Sequence, residues 1–241
     1  MNNLRRRLNS TFANYFKEVI YGGTDGIVTT FAVVSGFAGA TLSVSETTQL
    51  TFMVVLLFGL ANLFADAASM GLGNFLSVRS EKDHYRITRG KEQELIQQDP
   101  AHERKETMGV LQTKGFTYEQ AATLADTYKH NEEYWLDFLM HHKQGISDPR
   151  KEKEVFTGLT TFLSFVVFGA IPLLPFILQL SDDTAVVFFY SCIGTCIALV
   201  LLGLLKWRVI GVPLHRAVTE VVLVGGVAAV IAYFVGTFFA I

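Results

Sequence analysis

Apolar residues in this chain gather into long blocks rather than short alternating or amphipathic runs. A helix needs about 20 predominantly apolar residues to cross the hydrocarbon core of a bilayer. Five blocks reach that length, at 19–44, 50–76, 155–180, 184–205 and 217–241. Each predicts a membrane span, because 241 residues are too few to wrap five such helices inside a soluble core. Between the second and third blocks, residues 79–154 follow another pattern. Segments 81–98, 101–114 and 118–142 carry helix-forming residues with apolar positions at i, i+3 and i+4. Pro100 and Gly115 separate them, and Thr117 is placed to N-cap the third. The predicted fold is all-α: a tail with spans one and two (1–78), a three-helix water-facing insert continuous with the end of span two (79–154), then spans three to five (155–241).

Charge adds the orientation. The net charge of −2 averages two unlike regions and says little by itself. All 20 Lys and Arg lie in the N-terminal tail, in the insert, or in KWRVIGVPLHR between spans four and five. The loops TLSVSETTQ and QLSDD contain none. Basic residues of short loops stay cytosolic, so the N-terminus and insert are expected in the cytosol and the C-terminus outside. The start, MNNLRRRLNSTFANYF, lacks the apolar core and cleavage site of a signal peptide. Its basic residues follow topology and form no stripe with interleaved aromatics, so nucleic acid is not an expected partner. Cys192 and Cys196 stand four apart in an apolar block and read as packing residues.

Polar residues inside the spans bring in chemistry. An ionisable side chain there costs about 2.5–3.5 kcal/mol on insertion scales and is a functional candidate by default. Span one contains EVIYGGTDGIVTTFAVVSG, with Glu18 at its start and Asp25 among Gly22, Gly23 and Gly26, which permit close backbone approach. Asp25 also fits a helix cap at headgroup level. Span two reads GLANLFADAASMGLGNFLS, where Asn62, Asp66 and Met70 recur at i, i+4 and i+8 and line one face. Amide oxygen, carboxylate and thioether together suit a borderline divalent metal such as iron(II) better than magnesium or calcium. Met70 alone would be core packing. The insert adds Glu92, Glu94, Glu103 and Glu106, then Met140 and His141 near the end of its third helix, and it holds five of the six histidines. That set also fits an ordinary solvated helical surface.

At DGIVTTFAVVSG and ANLFADAASMGLGNFLS the chain resembles the vacuolar iron transporter family, and the resemblance covers nearly its whole length. It implies a homodimer with spans one and two at its centre, exchanging cytosolic iron or manganese for protons. Asp25, Glu18 and Met70 match the family's path residues, while Asn62 stands where the family often has glutamate. The resemblance also implies a metal-binding insert, in which Glu92, Glu103 and Glu106 match but Leu95, Leu139 and Lys143 replace expected ligands. His102, His141 or His142 would then be the available substitutes.

The function predicted is export of a divalent transition metal, iron(II) or manganese(II), from the cytosol in exchange for protons, with no enzymatic activity and no permanently bound cofactor. The membrane is the plasma membrane if the source is prokaryotic and the vacuolar membrane if eukaryotic, and its lipid, metal ions and protons are the partners. A membrane-anchored iron-oxidising or storage enzyme is the alternative from another class. A di-iron bundle needs paired Glu-x-x-His motifs on facing helices, and the insert has no such pair, only Glu81-x-x-His84 and the related Asp99-x-x-His102.

Overall fold

A computed structural model describes residues 15–41, 48–181 and 183–238, and every regular element in them is a helix. The tail at 1–14, most of the basic-free loop after span one and the last three residues lie outside the described residues, so the expectations placed on them stay as stated. The helices are α1 (Phe16–Thr41), α2 (Thr48–Gln98), α3 (Pro100–Thr113), α4 (Tyr118–Tyr128), α5 (Glu132–His142), α6 (Glu154–Gly169), α7 (Leu174–Ile177), α8 (Thr184–Ile210) and α9 (Leu214–Phe238). They form two compact units: one from residues up to Phe75 together with Val155 onward, the other from Leu76–Glu154.

Among the described residues, four helical stretches are long and apolar enough to cross a membrane: Phe52–Gln98, Glu154–Ile177, Ala185–Ile210 and Leu214–Phe238. The 26-residue α1 has the length, but five glycines, four threonines, Lys17, Glu18 and Asp25 dilute its apolar character. Outward positions of α8 and α9 are apolar for many turns, including Phe189, Ile193, Ile197 and Leu201, and Leu223, Val227, Ile231 and Phe234. Exposed apolar surface on that scale matches a lipid environment, where nothing is lost by leaving it uncovered.

Two sequence-derived helices needed correction. The block at 155–180 is not one helix. It runs as α6 to Gly169, a 3₁₀ turn at Ile171–Leu173 and the short α7. Pro172 and Pro175 lack the N–H that continues a helix, and each sits instead at the start of a new turn. The buried Ser191 hydroxyl of α8 donates to the Pro172 carbonyl at 2.7 Å, satisfying an oxygen the break sets free. The third insert helix is likewise two. Asn131 accepts from the Tyr134 N–H at 3.1 Å and caps α5, ending the run that began at Tyr118. Thr117 caps α4 as its sequence suggests, in a reciprocal box with Gln120.

In the first unit, Val34 of α1, Val55, Leu63 and Ala67 of α2, Phe165 of α6 and Val187 of α8 share one core. Ile27 of α1 joins Ala198, Leu199 and Leu202 of α8 and Val221 of α9 in a second. Several close approaches use glycine. A β-carbon on Gly22 would lie 2.7 Å from the Thr161 carbonyl oxygen of α6, and one on Gly26 would strike the Phe165 carbonyl. Gly158 of α6 would meet the Gly71 carbonyl of α2 at 2.5 Å.

In the second unit, Tyr85 and Ile96 of α2 pack on Trp135, Leu136, Leu139 and Met140 of α5. Met108 and Leu111 of α3 pack on Ala121 and Ala125 of α4. Arg104 closes the α3–α4 pair with a bidentate grip on Asp126 at 2.7 and 2.8 Å.

These contacts separate two glycine substitutions of identical chemistry. Gly22→Ala should destabilise the chain by about 1–3 kcal/mol through overpacking against α6. Gly73→Ala, whose methyl would meet open space, should be neutral or stabilise by up to about 1 kcal/mol. Thermal unfolding of both variants in detergent, followed by circular dichroism, tests the contrast.

Candidate functional site

In the first unit the polar residues lie on α1 and α2, Glu18 buried and Asp25, Asn62 and Asp66 half-buried. Glu18, in the first turn of α1, is 8% exposed, and its Oε2 is buried with no hydrogen-bond partner among the described residues. It shares an i, i+4, i+8 row with Gly22 and Gly26, so the tight contact with α6 accounts for its burial. Asp25 lies seven residues on, two helical turns along nearly the same face. It is half-buried and close enough to Asp66 of α2 for the two charges to interact.

On α2, Asn62 Nδ2 donates to Asp66 Oδ2 at 2.8 Å, fixing the carboxylate one turn away. Met70 follows one turn further, half-buried against the core that contains Leu63, Ala67 and Phe165. The structure therefore pairs Asn62 with Asp66, leaves Asp25 near enough to feel the Asp66 charge, and sets Met70 against the apolar core. The buried Thr30 hydroxyl has no partner either. Nothing in the sequence marked it, because threonine is common in apolar helices. Asn74 Nδ2 donates to Thr161 Oγ1 at 2.7 Å and ties α2 to α6, a second polar contact hidden by its surroundings.

The insert residues separate into two kinds. Glu92 of α2 and Glu103 of α3 are each 1% exposed. Between them lies the ammonium of Lys143, 2.7 Å from Glu92 Oε1 and 2.7 Å from Glu103 Oε2. Gln144 Nε2 donates to Glu92 Oε2 at 2.8 Å. Glu103 Oε1 is buried without a partner. Burial pushes the Glu103 carboxyl above its ordinary range, with the Lys143 hydrogen bond pulling back and Glu92 adding to the rise. Burial works against the charge on Lys143, and its hydrogen bonds to Glu103 and Glu92 outweigh that, holding its pKa above the usual lysine value.

The other predicted insert residues stand differently. Met140 is 1% exposed within the α2–α5 core, and Leu139 beside it is fully buried. Glu94 and His141 are exposed, and Glu106 is half-buried. His141 and His142 face each other with ring centroids 4.6 Å apart, and His102 is exposed, its backbone N–H held by Asp99. Among the described residues no three His, Cys, Asp or Glu side chains gather as a metal-holding group. Cys192 and Cys196 on α8 are free thiols.

This arrangement of acidic residues inside apolar helices accords with comparison to known proteins. The VIT family profile matches residues 16–237, across both units. The chain belongs to the VIT family. It is similar to the vacuolar iron transporter of Toxoplasma gondii, 32% identical over 239 residues that make up 95% of this chain and 75% of the relative. It is also similar to vacuolar iron transporter 1 of Oryza sativa, 31% identical over 92% of this chain and 84% of that protein. Vacuolar iron transporter 1 of Arabidopsis thaliana is 31% identical over 92% of this chain and 85% of its own length. VIT family members are transporters and not enzymes, so the oxidising or storage enzyme falls away. With its apolar helices, the chain is an integral membrane protein.

Two variants test the membrane residues of this VIT-family chain. Asp25→Asn keeps the volume and removes the charge. It should fold but lower transport about tenfold or more, the consequence of losing a charged contact of about 1.4 kcal/mol or greater. Met70→Leu removes the sulfur at a stability cost below about 1.5 kcal/mol. If the thioether touches the cargo, initial rates in proteoliposomes should show weaker preference for iron(II) over manganese(II). Unchanged preference assigns Met70 to packing alone.

Proposed function

We propose that this chain is a five-span carrier that moves a divalent transition metal, iron(II) foremost, out of the cytosol in exchange for protons. The observation that supports this is the hydrogen-bonded Asn62–Asp66 pair on α2, with Asp25 of α1 within reach of its charge, inside the apolar unit of a VIT-family chain. Relatives named as vacuolar iron transporters support iron as the cargo. The path would run by Glu18, Asp25, Asn62, Asp66 and Met70, with α1 as the fifth span and the insert in the cytosol. A homodimer through α1 and α2 would cover the exposed Leu57, Phe58 and Phe64 of α2. Manganese(II) is the second reading, favoured by the apolar packing of Met70. With the sulfur withdrawn, the remaining donors are oxygen, which serves manganese as readily as iron.

The charges suggest how exchange works. Asp25 and Asp66 carry two negative charges into a low-dielectric region, where uncompensated charge is costly. One divalent ion neutralises both. Carboxylates must be unprotonated to bind it, so acid on the far side displaces the metal and leaves two protons in its place. Loaded and returning states are then both neutral, which predicts two protons per metal and little response to membrane potential.

The test is uptake into proteoliposomes, comparing iron(II), manganese(II), cobalt(II) and zinc(II). Acid inside the vesicles should speed uptake of iron(II) and manganese(II), and a protonophore should abolish the effect. A potassium–valinomycin potential of either sign should change the initial rate little. Uptake that follows potential and ignores the pH gradient defeats proton exchange. Topology is checked separately. A reporter after Ile241 should appear outside and one near Gly115 in the cytosol, and finding both on one side defeats five spans.

A further inference from the structure

The Glu92–Glu103–Lys143 cluster has the composition of a filled cation site. Two carboxylates from different helices, each almost wholly removed from solvent, converge on one ammonium that is itself only 19% exposed. Three of their four oxygens are engaged, two by Lys143 and one by Gln144. The fourth, Glu103 Oε1, is buried and unsatisfied. One positive charge faces two negative ones, so the cluster keeps an excess of negative charge in a poorly solvated place. An unpaired carboxylate there is far costlier than one on the surface. A carboxylate kept charged there needs a cation, and the chain brings one from the residue directly after α5.

We propose that Glu92 and Glu103 form a seat for a cation, and that Lys143 fills it permanently as a tethered substitute for a divalent metal ion. The insert of this chain then holds its fold with its own lysine and does not depend on captured metal. Removing the ammonium turns the seat into a divalent-metal site whose ligands are the carboxylates of Glu92 and Glu103 and the amide oxygen of Gln144. This goes beyond the transport reading, since it assigns the insert a metal-independent structure whatever crosses the membrane unit.

The full chain carries its own probe. Trp135 is buried in the insert, and its indole N–H donates to Thr107 Oγ1 at 2.7 Å, which in turn donates to the Glu103 carbonyl at 2.8 Å. The chain has two tryptophans, so Trp207→Phe leaves Trp135 as the sole tryptophan, excited selectively at the red edge where tyrosine does not absorb. In that background, in detergent, Trp135 emission is followed on manganese(II) titration and on heating, with chelator or with manganese(II). The chain with Lys143 intact should show no saturable quenching and the same unfolding midpoint in both conditions. Lys143→Met should unfold on the order of 10 °C lower in chelator. Manganese(II) should restore its midpoint and quench Trp135 saturably, and adding Glu103→Gln should remove that response. Lys143→Arg, which keeps the charge, should behave as the original. Saturable quenching with Lys143 intact overturns the proposal, and so does a Lys143→Met chain that is equally stable in chelator and indifferent to metal. If Lys143→Met folds under neither condition, the chain with Lys143 intact decides: a saturable manganese(II) response overturns the proposal and its absence upholds it. No transport is measured, so failure here is distinct from failure of the carrier reading.

Discussion

A carbonyl oxygen of α6 lies 2.7 Å from where a side chain at Gly22 would begin, and the carbonyl of Phe165 comes closer still to Gly26. The membrane unit depends on this backbone-to-backbone approach. Lipid exerts no hydrophobic pressure to bring helices together, so close van der Waals contact between small residues must do it. The row that makes the contact is also the row that carries Glu18. A carboxylate is thus drawn into a tightly packed face of α1, while Asp25, two turns on, lies within reach of the charge of Asp66. A bulkier residue at Gly22 would push α6 away and admit lipid or water to those groups. The glycines are therefore part of the electrostatics as well as the packing.

Much of the helical architecture was legible because a membrane imposes a simple length rule. An apolar block near 20 residues has few alternatives, and the glycines of GGTDG announced the close approach now seen against α6. The errors arose where local chemistry overrides a smooth pattern. Pro172 and Pro175 lie inside an unbroken apolar block, and hydropathy is blind to a missing N–H. Asn131 ended a helix whose apolar spacing continues across it, because capping depends on one side chain reaching one backbone group. The pairing of Asn62 with Asp66 was visible as i, i+4 spacing. The neighbourhood of Met70 was not, since spacing places a sulfur on a face without saying what covers that face.

The insert shows the same limit in sharper form. Glu92, Glu103 and Lys143 are separated by 11 and 40 residues in sequence, and no local pattern says that they meet. Lys143 was noticeable only as a basic residue where an acidic one was expected. Its role follows from tertiary position: the two glutamates are buried within the insert, and burial converts a surface charge pattern into one that calls for a counter-ion. Met140 illustrates the converse. A methionine beside histidines resembles a ligand in sequence, yet it fills a core position and is closed off from solvent.

Set side by side, the two units treat the same chemistry in opposite ways. Each brings two carboxylates from successive helices into a poorly solvated place. In the insert, the chain supplies the positive charge itself, through Lys143. Around Asp25 and Asp66 it cannot do so locally, because no lysine or arginine occurs between Lys17 and Arg79. A half-buried pair of carboxylates with no lysine or arginine on its own two helices between Lys17 and Arg79 has room for protons or an ion from outside, and exchanging one for the other is what the proposed proton-coupled carrier requires. On the proposed reading, a resident lysine makes such a pair structural, and the lack of one leaves the pair free to bind a passing ion.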